Sequence, residues 1–171
     1  MTATSLHARP GLPALLVAAG SAATLGAALL SQYVGGLAPC VLCIWQRWPH
    51  VAAIALAGLA LLALPRSRVA GAGLLALGGV ALWASAGIAA YHVGVEQHWW
   101  AGTAQCGTTG AAPTSLEDLR RMVMAAPVTR CDEVAWSFLG LSMAGWNFLI
   151  SLGLGAFAVA AGLRPLLGER R

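Results

Sequence analysis

The sequence predicts an all-α membrane protein: a bundle of four transmembrane helices with a short amphipathic helix at the interface in its second outer loop. Two observations carry that prediction. Of 171 residues, 58% are hydrophobic and only 9% charged, and the mean hydropathy is +0.74, far outside the balance of a soluble globular domain. Four apolar stretches, residues 12–33, 44–64, 69–91 and 143–163, reach transmembrane length. At about 1.5 Å per residue, roughly 20 residues span a hydrocarbon core. Lipid offers the backbone no hydrogen bonds, so each span is expected to be helical. The spans and their loops account for residues 1–171, which leaves room for a single integral-membrane domain.

The first span follows Arg9. It reads as an uncleaved helix, because the apolar run exceeds a signal-peptide core and no small-x-small cleavage site follows it. Gly35 and Gly36 end it, and Pro39 fixes the backbone just before Cys40. Cys40-Val41-Leu42-Cys43 then stands at the head of the second span, with Arg47 one helical turn beyond Cys43. Pro49 lies inside that span and Pro65 closes it. The third span ends near His92, and Pro165 closes the fourth. Gly26, Gly58, Gly78 and Gly153 are the small residues expected to let the helices approach closely.

Residues 92–142 form an outer loop too long to be a plain connection. It holds Cys106 and Cys131, and between them Ser115-Leu116-Glu117-Asp118-Leu119 begins like a capped helix. Leu116, Leu119 and Val123 recur at helical spacing, the pattern of a helix lying flat on a membrane surface.

Orientation follows from arginine, since the chain has no lysine. Arg9, Arg66, Arg68, Arg164, Arg170 and Arg171 all fall on one side of a four-span chain, and the positive-inside rule makes that side cytoplasmic. Both termini are expected inside and all four cysteines outside, in a bacterium the oxidising periplasm. The net charge of +4 belongs to these flanks, so it marks topology rather than nucleic-acid binding. Spans one, three and four contain no Asp, Glu, Lys or Arg, which speaks against an ion-coupled transporter.

A C-x-x-C pair at a helix N-terminus suits cycling between dithiol and disulfide, because the helix dipole favours the attacking thiolate. The Arg47 guanidinium can lower a thiol pKa further or donate to a quinone carbonyl. Three bland readings stand beside this one. The cysteines can staple the outer loops; they can bind metal, although Cys106 and Cys131 are not a close pair; and Arg47 can simply snorkel to the headgroups. Haem attachment would need a histidine after the pair, where Ile44 stands. His92 suits a helix C-terminal cap, His50 is ambiguous, and Asn147 reads as an interhelical hydrogen-bonding residue. His98, Trp99 and Trp100 read as an aromatic belt.

Pro39-Cys40-Val41-Leu42-Cys43-Ile44 followed by Arg47, the two loop cysteines, and Trp136-Ser137-Phe138-Leu139-Gly140-Leu141-Ser142-Met143 together resemble the DsbB family of bacterial thiol:quinone oxidoreductases. The resemblance covers nearly the whole chain, with Trp45-Gln46 standing where a tyrosine and an acidic or amide residue are usual. It implies a protein-dithiol:quinone oxidoreductase of the bacterial inner membrane, with a periplasmic DsbA-like thiol oxidase as partner and ubiquinone or menaquinone as cofactor. It implies that Cys106 and Cys131 form the pair that oxidises the partner, with Cys106 taking the partner's attack. Cys40 and Cys43 reoxidise that pair, and Cys43 passes electrons to a quinone near Arg47 and His92. No metal is implied. The competing reading is a non-catalytic membrane protein with structural disulfides or a metal-binding cysteine cluster.

Overall fold

A computed structural model describes residues 10–106, 115–125 and 129–168. Arg9, Arg170 and Arg171, on which part of the charge pattern rests, lie outside the described residues, as do residues 107–114 and 126–128.

Four long helices run back and forth: α1 (Leu12–Tyr33), α2 (Val41–Ala63), α3 (Arg68–Glu96) and α5 (Met143–Gly168). Between the last two come a 3-10 turn (Ala104–Cys106), the short helix α4 (Leu116–Ala125) and a two-stranded hairpin of β1 (Ser137–Phe138) and β2 (Leu141–Ser142). Leu12–Tyr33, Arg68–Glu96 and Met143–Pro165 are long and apolar enough to cross a membrane. The 23-residue α2 matches them in length but carries Gln46, Arg47 and His50 in its first half.

Three boundaries differ from the sequence expectation. α2 starts at Val41, three residues earlier than residue 44, because the Cys40 sulfur takes the N-cap position and accepts from the Cys43 N–H at 3.3 Å. α3 runs on to Glu96, so His92 sits within the helix instead of capping it. The apolar run ends near Tyr91, whereas the backbone hydrogen bonds continue until Gln97 and Trp99 donate to Val93 and Gly94. Pro165 does not close the fourth long helix, which continues to Gly168. A proline in the final turns forfeits one N–H bond without stopping the chain there. The predicted cap of α4 is present, with the Asp118 N–H donating to Ser115 Oγ at 3.1 Å.

α3 packs most extensively against α5 and then against α2. The glycines that make this close are not those expected. A Cβ added at Gly26, Gly58 or Gly153 would meet nothing within 4 Å, and at Gly78 only an ordinary contact with Leu56 at 3.6 Å. The close approaches are at Gly79, where a Cβ would fall 2.7 Å from the Gly155 carbonyl, and at Gly162, 2.6 Å from the Ala72 carbonyl. One residue of helical phase decides which glycine faces a neighbour, and periodic glycine counting does not supply that phase.

Two apolar clusters stack along the bundle. Ala14, Val17, Ala53, Ala57, Ala60, Leu75, Leu82 and Ala158 form the first, built chiefly of small side chains. The second joins Cys40 and Leu42 to Val95, Cys106 and Cys131 at the end where the segments after α1 and α3 gather.

Candidate functional site

The second cluster is built by three elements. Pro39 and the N-cap geometry place Cys40 ahead of α2, the upper turns of α3 supply Val95 and His92, and the loop brings in a disulfide joining Cys106 to Cys131. Cys106 and Cys131 are fully buried and Cys40 is 4% exposed, so three of the four cysteines are withdrawn from solvent against one another. Cys40 and Cys43 are free thiols with sulfurs 3.2 Å apart.

Cys40 is the better nucleophile of this pair. Its sulfur lies outside the helix and accepts from the Cys43 backbone N–H, with His92 Nε2 3.5 Å away. The Cys43 thiol donating to it, and next the His92 imidazole, outweigh burial and hold Cys40 far below the usual thiol range, at about 4.

Cys43 faces a different region. It lines a cavity of about 420 Å³ between α1, α2, α5 and the hairpin, together with Arg47, Gln46, His50, Trp136 and Trp146. Cys40 and His92 are not among the described residues lining it. The walls are otherwise mostly aliphatic and aromatic, the character of a site for a flat apolar ligand with a few polar anchors. Arg47 is half-buried: its Nη1 donates to Gln32 Oε1 at 2.5 Å, and its Nε is buried with no partner.

The hairpin closes one wall. Leu139 and Gly140 both adopt positive φ, 52° and 77°, giving the tight turn that matches strand twist. Phe138 stacks on Trp136 with centroids 6.0 Å apart, and its carbonyl accepts from Trp146 Nε1 at 3.0 Å. The run Trp136–Met143 is therefore a shaped lid over the cavity.

Of the polar network behind these groups the sequence marked Asn147, which does hydrogen-bond across helices, but not its partners Gln46 and Ser85. Gln46 Nε2 donates to the Leu42 carbonyl at 3.2 Å and meets His92 Nδ1 at 3.0 Å, while Gln46 Oε1 accepts from Asn147 Nδ2 at 2.7 Å. Ser85, His50 and Ser151 complete it around Asn147. Glu96 accepts from Ser142 Oγ at 2.5 Å and lies 3.9 Å from His92 Nε2. A signal existed in the spacing: Cys43, Gln46 and His50 share one face of α2, and the i, i+4 pairs His92/Glu96 and Asn147/Ser151 face it from α3 and α5.

Cys40, Cys43 and His92 present ligand atoms within 4.8 Å of one another, which is a possible metal site. The two sulfurs lie 3.2 Å apart, between the roughly 2.05 Å of a disulfide and the spacing of a zinc dithiolate. Two thiolates at about 2.3 Å from a tetrahedral zinc lie about 3.8 Å apart, wider than the 3.2 Å between these sulfurs.

The profile of the family described as disulfide bond formation protein DsbB matches residues 11–161. Among curated relatives, disulfide bond formation protein B of Methylococcus capsulatus is 37% identical over 81% of this chain and 85% of its own. The protein of the same name from Saccharophagus degradans is 35% identical over 88% of this chain and 92% of its own. That from a Polaromonas species is 31% identical over 87% and 88%. No solved structure matches the chain.

Proposed function

The chain belongs to the DsbB family, and on that premise we propose that it reoxidises a DsbA-like periplasmic thiol oxidase and passes the electrons to a membrane quinone. The observation that carries this reading is the division of the C-x-x-C pair. Cys40 packs against the Cys106–Cys131 disulfide, and Cys43 lines the cavity that holds Arg47.

The reduced partner attacks Cys106, and the Cys106–Cys131 disulfide is exchanged for two thiols as the partner regains its own. Those thiols then reduce a Cys40–Cys43 disulfide and are themselves rejoined. The arrangement described above, with Cys106 and Cys131 joined and Cys40 and Cys43 free, corresponds to the stage at which both electrons rest on the C-x-x-C pair. With Cys40 as thiolate and Cys43 as thiol, joining the two sulfurs gives up two electrons and one proton; a quinone held in the cavity would supply the oxidising power, and the second proton of its hydroquinone would come from the medium. Cys40, poised as thiolate, supplies one sulfur of the new disulfide, and Cys43, facing the cavity, supplies the other.

The cavity fits a quinone headgroup on this chain's own features. It has the volume and apolar walls for a ring, and the orphaned Arg47 Nε is a donor for a carbonyl oxygen. His92, placed by sequence at the quinone, acts in this reading on Cys40, donating from Nε2 to the thiolate.

The whole chain is one membrane domain with α2 as a fourth span, its polar first half turned toward the cavity and the network. α4, with Leu116 and Met124 exposed, lies on the outer leaflet. Arg66, Arg68 and Arg164 mark the cytoplasmic end of a bacterial inner-membrane protein, with both termini there.

The test is quinone reduction by the purified protein supplied with a reduced thioredoxin-like partner. Turnover is expected in the native chain and its loss in Cys43→Ser and Cys106→Ser; undiminished turnover in either variant overturns the assignment. Thiol trapping in cells separates the stapled alternative, because a staple stays oxidised when quinone is depleted.

A further inference from the structure

The hydrogen-bond network behind the cavity fixes where its protons sit. Gln46 Nε2 lies 3.2 Å from the Leu42 carbonyl, which can only accept, so this end of the side chain is the amide nitrogen. Gln46 Oε1 is then the acceptor for Asn147 Nδ2 at 2.7 Å, and Asn147 Nδ2 also donates to Ser85 Oγ at 3.2 Å. That orientation turns Asn147 Oδ1 toward His50 Nε2, 2.9 Å away. An amide oxygen accepts only, so His50 Nε2 carries the hydrogen, and the Nδ1 of the neutral ring is a bare acceptor. Ser151 Oγ, 3.1 Å from the same Asn147 oxygen and 3.2 Å from His50 Nε2, holds the ring in place from α5.

The residue so fixed is 2% exposed, lines the cavity, and leaves its Nδ1 buried with no partner. Arg47 Nε, buried and equally without a partner, lines the same cavity. One orphan is a donor and the other an acceptor. A quinone presents two carbonyl oxygens and nothing to donate, whereas its hydroquinone presents hydroxyls that donate.

Resting on the quinone reading above, we infer that His50 is a ligand-contacting residue of this cavity that distinguishes the two redox forms. Its bare Nδ1 accepts a hydrogen bond from a hydroxyl of the reduced headgroup and has no partner to offer the oxidised one. Arg47 can donate to an oxygen of either form. The cavity therefore holds hydroquinone more tightly than quinone. A tenfold preference corresponds to about 30 mV in a two-electron couple, in the direction that draws electrons off the Cys40–Cys43 pair.

The test is equilibrium binding of a short-chain ubiquinone and of its hydroquinone to the full protein in detergent, followed by quenching of Trp136 and Trp146 at the cavity wall. In the native chain the hydroquinone is expected to bind about tenfold more tightly. His50→Gln keeps a donor where Nε2 meets Asn147 and removes the Nδ1 acceptor; the preference is expected to vanish through weaker hydroquinone binding, with quinone affinity changed less than twofold. His50→Asn returns an oxygen acceptor near Nδ1 and is expected to restore most of the preference. It also shows whether the pocket survives substitution. Equal affinities in the native chain, or an unchanged preference in His50→Gln, overturn this inference alone. Binding of neither form by the native chain overturns the quinone reading and this inference with it.

Discussion

The two ends of the bundle are made from the same helices by opposite means. At the end bearing Ala14, Ala53, Ala57, Ala60 and Ala158, helices close on small side chains, and Gly79 lets α3 come within touching distance of the α5 backbone. At the other end, α2, α3 and α5 face one another across Gln46, Ser85, His92, Asn147 and Ser151, nearly every polar atom of which finds a partner. The first end is tight and chemically silent; the second leaves a cavity and keeps sulfur, imidazole and guanidinium in fixed places. A buried polar network costs stability unless it is satisfied, so its presence at one end only marks where that cost serves a reaction.

Four experiments break or sharpen this contrast. The largest effect is expected from the sulfurs. Cys43→Ser and Cys106→Ser each remove a bond-forming atom and should abolish quinone reduction; Cys43→Ser should leave the melting temperature nearly unchanged, whereas Cys106→Ser also loses the buried Cys106–Cys131 cross-link and should lower it. Next is Arg47→His, which should raise the KM for quinone about tenfold, the cost of about 1.4 kcal/mol of lost contact, and leave the KM for the protein dithiol unaltered. An equal rise in both would make Arg47 a structural residue.

Gly79→Val and Gln46→Leu compare the two ends directly. The valine forces side-chain atoms into the Gly155 carbonyl and should destabilise the bundle by about 1–3 kcal/mol with kcat per folded molecule preserved. The leucine strips partners from His92 and Asn147 at a similar cost of about 1–3 kcal/mol, but should also lower kcat. If Gly79→Val impaired turnover of the folded fraction as strongly as Gln46→Leu, the ends would not be functionally distinct.

The smallest change is a titration. In the dithiol form, thiolate absorbance from Cys40 should appear with a midpoint at about 4, far below an ordinary thiol at 9.0. Cys43→Ala, which removes the leading cause, should move that midpoint up, and His92→Leu should move it up less. The sign for stability follows from proton counting: between these two values the unfolded chain holds a proton at Cys40 that the native chain does not. Stability of the reduced protein from this group therefore rises with pH, is complete above about 9, and is lost as pH falls through about 4. A Cys40 midpoint near 9 would remove the nucleophile from the proposed exchange.

What could be read from the sequence depended on the range of the interaction. Long apolar stretches, a C-x-x-C before one of them, and Ser115 ahead of an amphipathic repeat are local patterns, and the helices and the α4 cap followed them. His92 was legible as a residue of interest but not in its surroundings, because the helix runs on past the apolar layer and turns its ring to Cys40. Gln46 looked like an unremarkable neighbour of Arg47, since nothing in α2 announces that Asn147, far along the chain, will meet it.

By itself, the sequence determined that this is a helical membrane protein with four cysteines grouped at one end and a guanidinium one turn below a C-x-x-C. Hydropathy, helical period and the positions of Arg and Cys are properties of short stretches and survive without tertiary knowledge. Only the tertiary structure decided that Cys40 turns to the loop disulfide while Cys43 turns to a cavity, which glycines touch, and which nitrogen of His50 is left bare. Those outcomes depend on the rotational phase of each helix against its neighbours. Phase is set by the packing of all the helices together, so no single segment encodes it.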